Sequence, residues 1–253
     1  MPQEIRLYTK QQLEQSVEIT LDSNQAHYLA NVMRCKLGDM LSLFNGCDGQ
    51  WQAEITLVSK KSITASPLKQ TRPQISSPDL WLVFAALKNK NELVVEKATE
   101  LGVSKIIPLV TRHSVVRSLN LEKLQIHAIE AAEQCERLDI PAIETHKDLS
   151  YLLGSWDKDR ILLYGDESGS GEPLPQVLEN ADMNKKYAVL IGPEGGFSAD
   201  EFEMLHACDF AKGFGMGGRI LKADTAITAA LACVQSKLGD WDKKPHFISK
   251  ENL

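Results

Sequence analysis

The hydrophobic and polar positions change rhythm about a third of the way along the chain. Up to residue 72 the apolar residues come in strand-sized pieces, IRLY, SVEIT, MLSLFN, WQAEITLVS and KSITASPL. Several alternate between apolar and polar positions, as half-buried strands do. One helix is expected among them, from Ser23 or Asn24 as N-cap to Arg34, with Gly38-Asp39 turning into the next strand. This pattern predicts a small β-barrel-like domain over residues 1–72. The stretch KQTRPQISSPD, Lys69–Asp79, has two prolines and no apolar period, and reads as a linker. Beyond it, DLWLVFAAL, SKIIPLV, RILLYGD and KYAVLIG are continuous apolar runs of the kind buried on both faces of a parallel sheet. Helical patterns separate them. ELVVEKATELG ends at Gly102, suited to a C-terminal cap, and LEKLQIHAIEAAEQCER is a longer helix. ADEFEMLHA follows Ser198, an N-cap with Glu201 in capping-box position, and TAITAALACVQSKL comes last. Strands alternating with helices predict an α/β domain with a mainly parallel sheet over residues 73–253.

Composition narrows the class. With 253 residues, 43% hydrophobic and 25% charged, the chain can bury a sizeable core and reads as an ordinary globular protein. It has no signal-peptide pattern and no apolar run near membrane-spanning length, so no membrane is expected and the reading is cytoplasmic. Five scattered cysteines without zinc or redox spacing fit reduced thiols, and no metal set is expected. A net charge of -6 argues against generic nucleic-acid binding, but residues 1–72 carry 8 basic against 7 acidic groups. From Lys105 to Asn120, Lys105, Arg112 and Arg117 meet no acid. One local basic face can still hold RNA.

Two glycine clusters carry candidate chemistry. LIGPEGGFS is a strand, a Gly/Pro loop and a helix start, placed where open α/β sheets bind ligands. It lacks the lysine of a P-loop and the spacing of a dinucleotide fingerprint. Taken alone, it fits a tight turn with a surface glutamate equally well. The second cluster, GFGMGGRILKADTA, leads into an alanine-rich helix that Asp224 or Thr225 is suited to cap. Alone it reads more readily as a flexible loop before a packing helix. At the ends of successive buried strands, the two loops can wall one nucleoside pocket, with Tyr164-Gly165-Asp166-Glu167 as a third wall.

HYLANVMRCKLGD, KATELGVSKIIPLVTRHSVVR, AAEQCERLDIP, LIGPEGGFSADE and MGGRILKADTA occur in that order. Through this ordered set the chain resembles the bacterial 16S ribosomal RNA (uracil-N3) methyltransferase family of the SPOUT superfamily, over nearly its whole length. The resemblance implies a PUA-like N-terminal β-domain, a trefoil-knotted α/β domain and a homodimer. It implies S-adenosylmethionine (SAM) as cofactor. Its berth would be Gly192, Pro193, Glu194, Gly195 and Gly196, then Met216, Gly217, Gly218, Ile220 and Leu221, with Leu163, Tyr164 and Ile191 at the strand ends. It implies one uridine near the decoding region of 16S rRNA, in the assembled small ribosomal subunit, as substrate. The family's usual Arg and Glu after the last loop are Lys222 and Asp224 here. Lysine loses planar bidentate geometry, and aspartate has the shorter reach.

Methylation at N3 must remove a proton and tolerate negative charge on the ring. A carboxylate within reach, Glu194 first and Asp224 second, suits the proton. Arg219, Arg117 or Arg112 suits the charge or an RNA phosphate. For each arginine an ordinary solvated ion pair is an equal reading. Gln134 and Arg137 are candidates for the RNA side of the cleft, or else a helix end with a favourable cation. Arg34 and Lys36 are candidates for an RNA grip by the N-terminal domain. His27, His113 and His127 have no visible partner in the sequence and read as surface or packing residues. Two other functions stay open: a non-catalytic RNA-binding assembly factor, and the same chemistry on a different RNA.

Overall fold

The computed structural model describes residues 5–59 and 62–243. The chain divides into two compact units. One comprises Met1–Ser76 with Ala128–Ile140, the other Ser77–His127 with Pro141–Leu253.

The first unit contains β1 (Arg6–Tyr8), β2 (Ile19–Thr20), α1 (Ser23–His27), β3 (Met40–Phe44), β4 (Gln50–Val58) and β5 (Ile63–Arg72). The strands form one sheet in the order β1-β3-β4-β5-β2. Lys61, the first residue of the predicted KSITASPL strand, lies outside the described residues. In β4 the alternation holds at Ala53 and Ile55, which are buried, against Gln52 and Glu54, which are not. Leu7, Ile19, Leu29, Leu41, Leu43, Ile55 and Ile63 make the core.

Two expectations need correction here. The cap of α1 is Asp22, not Ser23 or Asn24: its carboxylate accepts from the amides of Asn24 and Gln25, and Gln25 completes a capping box. The helix does not run evenly to Arg34. It loosens into a π-helical turn over Tyr28–Val32, and Arg34 stops it at φ 56°. The predicted linker is also shorter. Its first four residues continue β5, where Arg72 pairs with Gln50. The ladder with β4 outweighs their polar composition.

Within this unit a second, smaller cluster joins Phe44 to Ala132 and Leu138. Arg6 is buried beside it. Its guanidinium lies 3.7 Å from the Phe44 ring centroid. It donates to Gln50 Oε1 at 2.8 Å and to the carbonyls of Ala132 at 2.6 Å and Arg137. Burial lowers its pKa to about 10, so it stays charged at neutral pH. Glu133 accepts from the Tyr8 amide at 2.9 Å. Burial pushes its carboxyl up from 4.5 to about 7, beyond what that bond and Arg6 draw down. It holds its proton more tightly folded than unfolded, so stability is lost as pH rises from about 4.5 to about 7. Glu133→Gln keeps an acceptor for Tyr8 without a charge to desolvate. It is expected to flatten that slope and to raise stability at pH 8 by about 1–2 kcal/mol, read by urea unfolding across pH. A slope unchanged from the parent would exclude Glu133 as its source.

The second unit contains β6 (Leu80–Ala85), α2 (Asn91–Glu100), β7 (Lys105–Val110), α3 (Leu121–Gln134), β8 (Ala142–Ile143), β9 (Lys147–Asp148) and α4 (Leu149–Gly154). There follow β10 (Arg160–Gly165), β11 (Glu172–Pro173), α5 (Leu174–Glu179), β12 (Lys186–Ile191), α6 (Ala199–His206), β13 (Ala211–Gly215) and α7 (Ala223–Leu238). Helix α3 is shared: from Ala128 onward it groups with the first unit. The sheet order is β11-β13-β10-β12-β6-β7-β8, with β9 also on β7, and every pairing is parallel. The unbroken apolar runs are its central strands. Pro108 sits in β7 without cost. The neighbour on that side changes there, with β8 pairing Lys105–Ile106 and β9 pairing Leu109–Val110. Gly102 follows α2 at φ 76°, as a C-terminal glycine should.

At the start of β10 the fully buried Arg160 donates to the carbonyls of Asp79 and Tyr187 at 2.8 and 3.1 Å. It also donates to the Asp79 carboxylate at 2.7 Å and lies 3.7 Å from the Trp81 ring centroid. Partial burial would raise the Asp79 carboxyl, but the guanidinium holds it below its usual range. Asp79 therefore anchors the front of the sheet rather than ending a linker.

Candidate functional site

The two glycine loops and the Tyr164–Glu167 loop leave the carboxyl ends of three adjacent strands. Strand β10 pairs with β12 on one side and β13 on the other. The two glycine-cluster strands are thus not neighbours, as successive strands would be. The strand of the third loop stands between them.

The loop after β12 is built from its own contacts. A Cβ at Gly192 would meet the Phe197 ring at 3.0 Å, and one at Gly195 would meet His113 Cβ at 3.2 Å. Gly196 has φ 71°, and its amide closes a turn onto the Pro193 carbonyl at 3.0 Å. The Glu167 carboxylate, from the loop after β10, fills the space above it. His113 has a partner after all. Its Nδ1 lies 3.1 Å from the carbonyls of both Gly195 and Gly196. Carbonyls only accept, so that nitrogen carries the hydrogen. No periodicity in the sequence links residues so far apart.

Ser198 caps α6 and Glu201 closes the capping box, as their spacing predicts. Glu201 does more than cap. It is 7% exposed and accepts from the Ser198 amide at 2.8 Å and from the Arg112 amide at 2.9 Å. One carboxylate thereby fixes the loop after β7 to the loop after β12. Glu201→Ala leaves both amides without their acceptor. It is expected to cost about 2–3 kcal/mol of stability, read from chemical denaturation. A loss below about 0.5 kcal/mol would show that water replaces it.

The loop after β13 is different. Gly217 has φ 86°, and a Cβ at Gly217 or Gly218 would meet nothing within 4 Å. Arg219 and Ile220 are exposed, Ile220 almost fully. Helix α7 begins at Ala223 with Lys222 in the capping position, so neither Asp224 nor Thr225 is the N-cap. Asp224 lies in the first turn and takes an ion pair from Lys90 Nζ at 2.5 Å. That hydrogen bond holds the Asp224 carboxyl below its usual range.

Lys90 belongs to a fourth loop, after β6, that sequence reasoning missed. The buried Asn91 side chain both accepts from the Leu87 amide and donates to its carbonyl, each at 2.9 Å. The Lys88 amide donates to Glu194 Oε1 at 3.3 Å. Lys90 itself has φ 72°, uncommon for a residue with a side chain.

The remaining candidates fall in separate places. Arg112 and Arg117 are exposed, and Arg112 reaches Asp200 at 3.4 Å. Arg34 and Gln134 are exposed in the first unit. The Arg137 side chain is 9% exposed and paired with Asp139 at 2.9 Å, which favours its structural reading. Leu163, Tyr164 and Ile191 are buried, so the strand ends offer backbone rather than side chains. Met216 and Leu221 are half-buried, and Pro193 is buried. Among the described residues no three His, Cys, Asp or Glu are grouped to hold a metal, and no helix is long and apolar enough to cross a membrane.

Comparison with known proteins joins these observations. Residues 75–235 match the model of the RNA methyltransferase domain. The chain belongs to the RNA methyltransferase family. Residues 21–68 match the RNA methyltransferase PUA domain, so the first unit is PUA-like. A relative in Rickettsia conorii, named ribosomal RNA small subunit methyltransferase E, is 35% identical over 91% of this chain and 94% of its own length. A protein of the same name in Bacillus subtilis is 28% identical over 89% of this chain and 93% of its own. A solved structure from Legionella pneumophila, a methyltransferase in complex with bound SAM, is 27% identical with a TM-score of 0.83. It covers 94% of this chain and 99% of that one. As an RNA methyltransferase, the chain thus has the α/β architecture with a parallel sheet and the PUA-like N-terminal domain that its motifs imply.

Proposed function

We propose that this enzyme uses SAM to methylate N3 of one uridine of 16S rRNA near the decoding region, in the assembled small ribosomal subunit. The observation that carries the reading is the row of parallel strand ends β13, β10 and β12, with open backbone at Gly217 and Gly218. The names of the Rickettsia and Bacillus relatives support the ribosomal substrate, and the SAM in the Legionella structure supports the cofactor. The residues fit the group. A nucleoside needs close backbone approach and hydrogen-bonding amides. Met216–Leu221 has the open backbone at Gly217 and Gly218. Gly192–Gly196, packed on its own Phe197, His113 and Glu167, is in this reading the opposite wall, with Leu163, Tyr164 and Ile191 behind them. When bound, SAM supplies a reactive sulfonium methyl.

The protein's own part is orientation, charge and proton removal. Held by the Lys88 amide, the Glu194 carboxylate is the acceptor for the N3 proton. Asp224 is the weaker base, because Lys90 stabilises its charged form. Arg219 and Arg117 are exposed and have no ion pair among the described residues, so they are available to uracil oxygens or phosphates. Arg112, leaning on Asp200 at the surface, and Arg34 and Gln134 in the first unit are phosphate contacts in this reading. A cytoplasmic homodimer with domains 1–72 and 73–253 belongs to the proposal. So does a trefoil knot: the chain passes through β10 and β12 before β13 returns to the far side of β10.

The test incubates the protein with labelled SAM and small subunits lacking their own modification, then maps the methyl by nuclease digestion and mass spectrometry. A single N3-methyluridine near the 3′ end of the rRNA is expected. Cofactor binding without transfer would move the substrate to another RNA, and loss of both would favour the non-catalytic assembly factor.

A further inference from the structure

The loop after β6 is built to hold a cation in a chosen place. Strand β6 lies beside β12, so its loop emerges next to the Gly192–Gly196 loop. It is fixed at three points. Asn91 closes on Leu87 inside the protein. The Lys88 amide is on Glu194. Lys90 Nζ is on Asp224, three residues beyond Leu221. The loop therefore touches one glycine loop of the proposed berth and the first turn of the helix that follows the other.

Lys90 is a poor local choice for its position. It caps α2, where Ser, Thr, Asp, Asn or Gly is preferred, and its side chain makes no capping bond. Its backbone is left-handed, where glycine would be easy. What lysine adds is the ammonium. One of its three N–H donors goes to Asp224, and half of the side chain is open to solvent. Two donors remain, on the loop whose Lys88 amide also holds Glu194.

We propose that Lys90 is a catalytic residue, the cation that takes the uracil carbonyl oxygen when the ring becomes negative, and that Asp224 is the positioning residue that aims it. The inference rests on the function proposed above. The proton of N3 passes to Glu194. The electron pair it leaves is shared by N3 and the two carbonyl oxygens, one of them against Lys90. N3 then uses that pair to bond the methyl carbon, and the sulfur keeps the carbon–sulfur pair and leaves neutral. A donor fixed beforehand at the developing oxyanion lowers the cost of this step without binding SAM.

Three substitutions separate this from a structural role. Lys90→Met keeps the length and loses the charge. It is expected to lower single-turnover methylation of small subunits about a hundredfold, with SAM and subunit dissociation constants within threefold of the parent. Lys90→Arg restores a cation and should recover at least a tenth of the parent rate. Lys90→Gly relieves the left-handed backbone and should melt no lower than the parent, yet be as slow as Lys90→Met. A Lys90→Met rate within threefold of the parent overturns the proposal, as does Lys90→Arg as slow as Lys90→Met. So does a rate loss in Lys90→Gly that tracks a fall in melting temperature. Absence of transfer by the unaltered protein would instead overturn the function reading itself, and this inference with it.

Discussion

Gly218→Val is expected to fold as the parent does and to bind SAM at least a hundredfold more weakly. The reason is the contrast between glycines that look alike in the sequence. A side chain at Gly192 or Gly195 would press on the protein's own Phe197 or His113, so loss of function there would not distinguish a berth from a packing defect. Gly217 has open space but φ 86°, where valine would be strained. At Gly218 the space around a Cβ is open and no left-handed backbone intervenes, so the fold of the chain itself leaves room for a side chain where the proposed berth does not. A hundredfold loss is about 2.8 kcal/mol, the cost of pushing a close-fitting group off its amides. Isothermal titration with SAM, beside a thermal melt, reads both quantities. An unchanged dissociation constant would remove Gly218 from the berth.

Arg6→Met carries the largest expected loss of stability. The guanidinium donates to Gln50 and to the carbonyls of Ala132 and Arg137 from inside the protein. Methionine fills similar volume against Phe44 but returns none of these bonds. Buried carbonyls left without donors, and Glu133 left without its nearest cation, make a cost of about 3–5 kcal/mol. Urea denaturation should show the midpoint fall with little change in slope. A loss under about 1 kcal/mol would mean that water enters and replaces the arginine.

The sequence made the sheet legible where burial is two-sided. β6, β7, β10 and β12 are continuous apolar runs and stand together in the centre. It made α6 legible to the residue, because a capping box is a local hydrogen-bond pattern. Strand β13, AKGFG, has one buried side chain, Phe214, and no period to detect. Its ladder with β10 makes it a strand, and Gly213 is needed because the Tyr164 hydroxyl lies 2.9 Å from where a Cβ would be. The short β8, β9 and β11 depend on their partners in the same way. At the site, the glycines were visible as a composition, but their separate reasons were not. His113 and Lys90 act through contacts with residues more than eighty positions away, and nothing local marks His113. Lys90 has a partial signal: a lysine between two asparagines just before a helix is an odd cap.

The division of α3 between the two compact units has a consequence for synthesis on the ribosome. A chain released from the exit tunnel only as far as residue 76 has β1 through β5 but lacks Ala132 and Leu138, which cover Phe44, and the carbonyls that receive Arg6. The first unit to emerge is therefore not the first that can finish. Its closure waits for some sixty further residues, among them β6, α2 and β7 of the other unit. Nascent-chain folding of this protein is interleaved rather than sequential, and a split gene encoding the two sequence halves would separate Arg6 from the acceptors it needs.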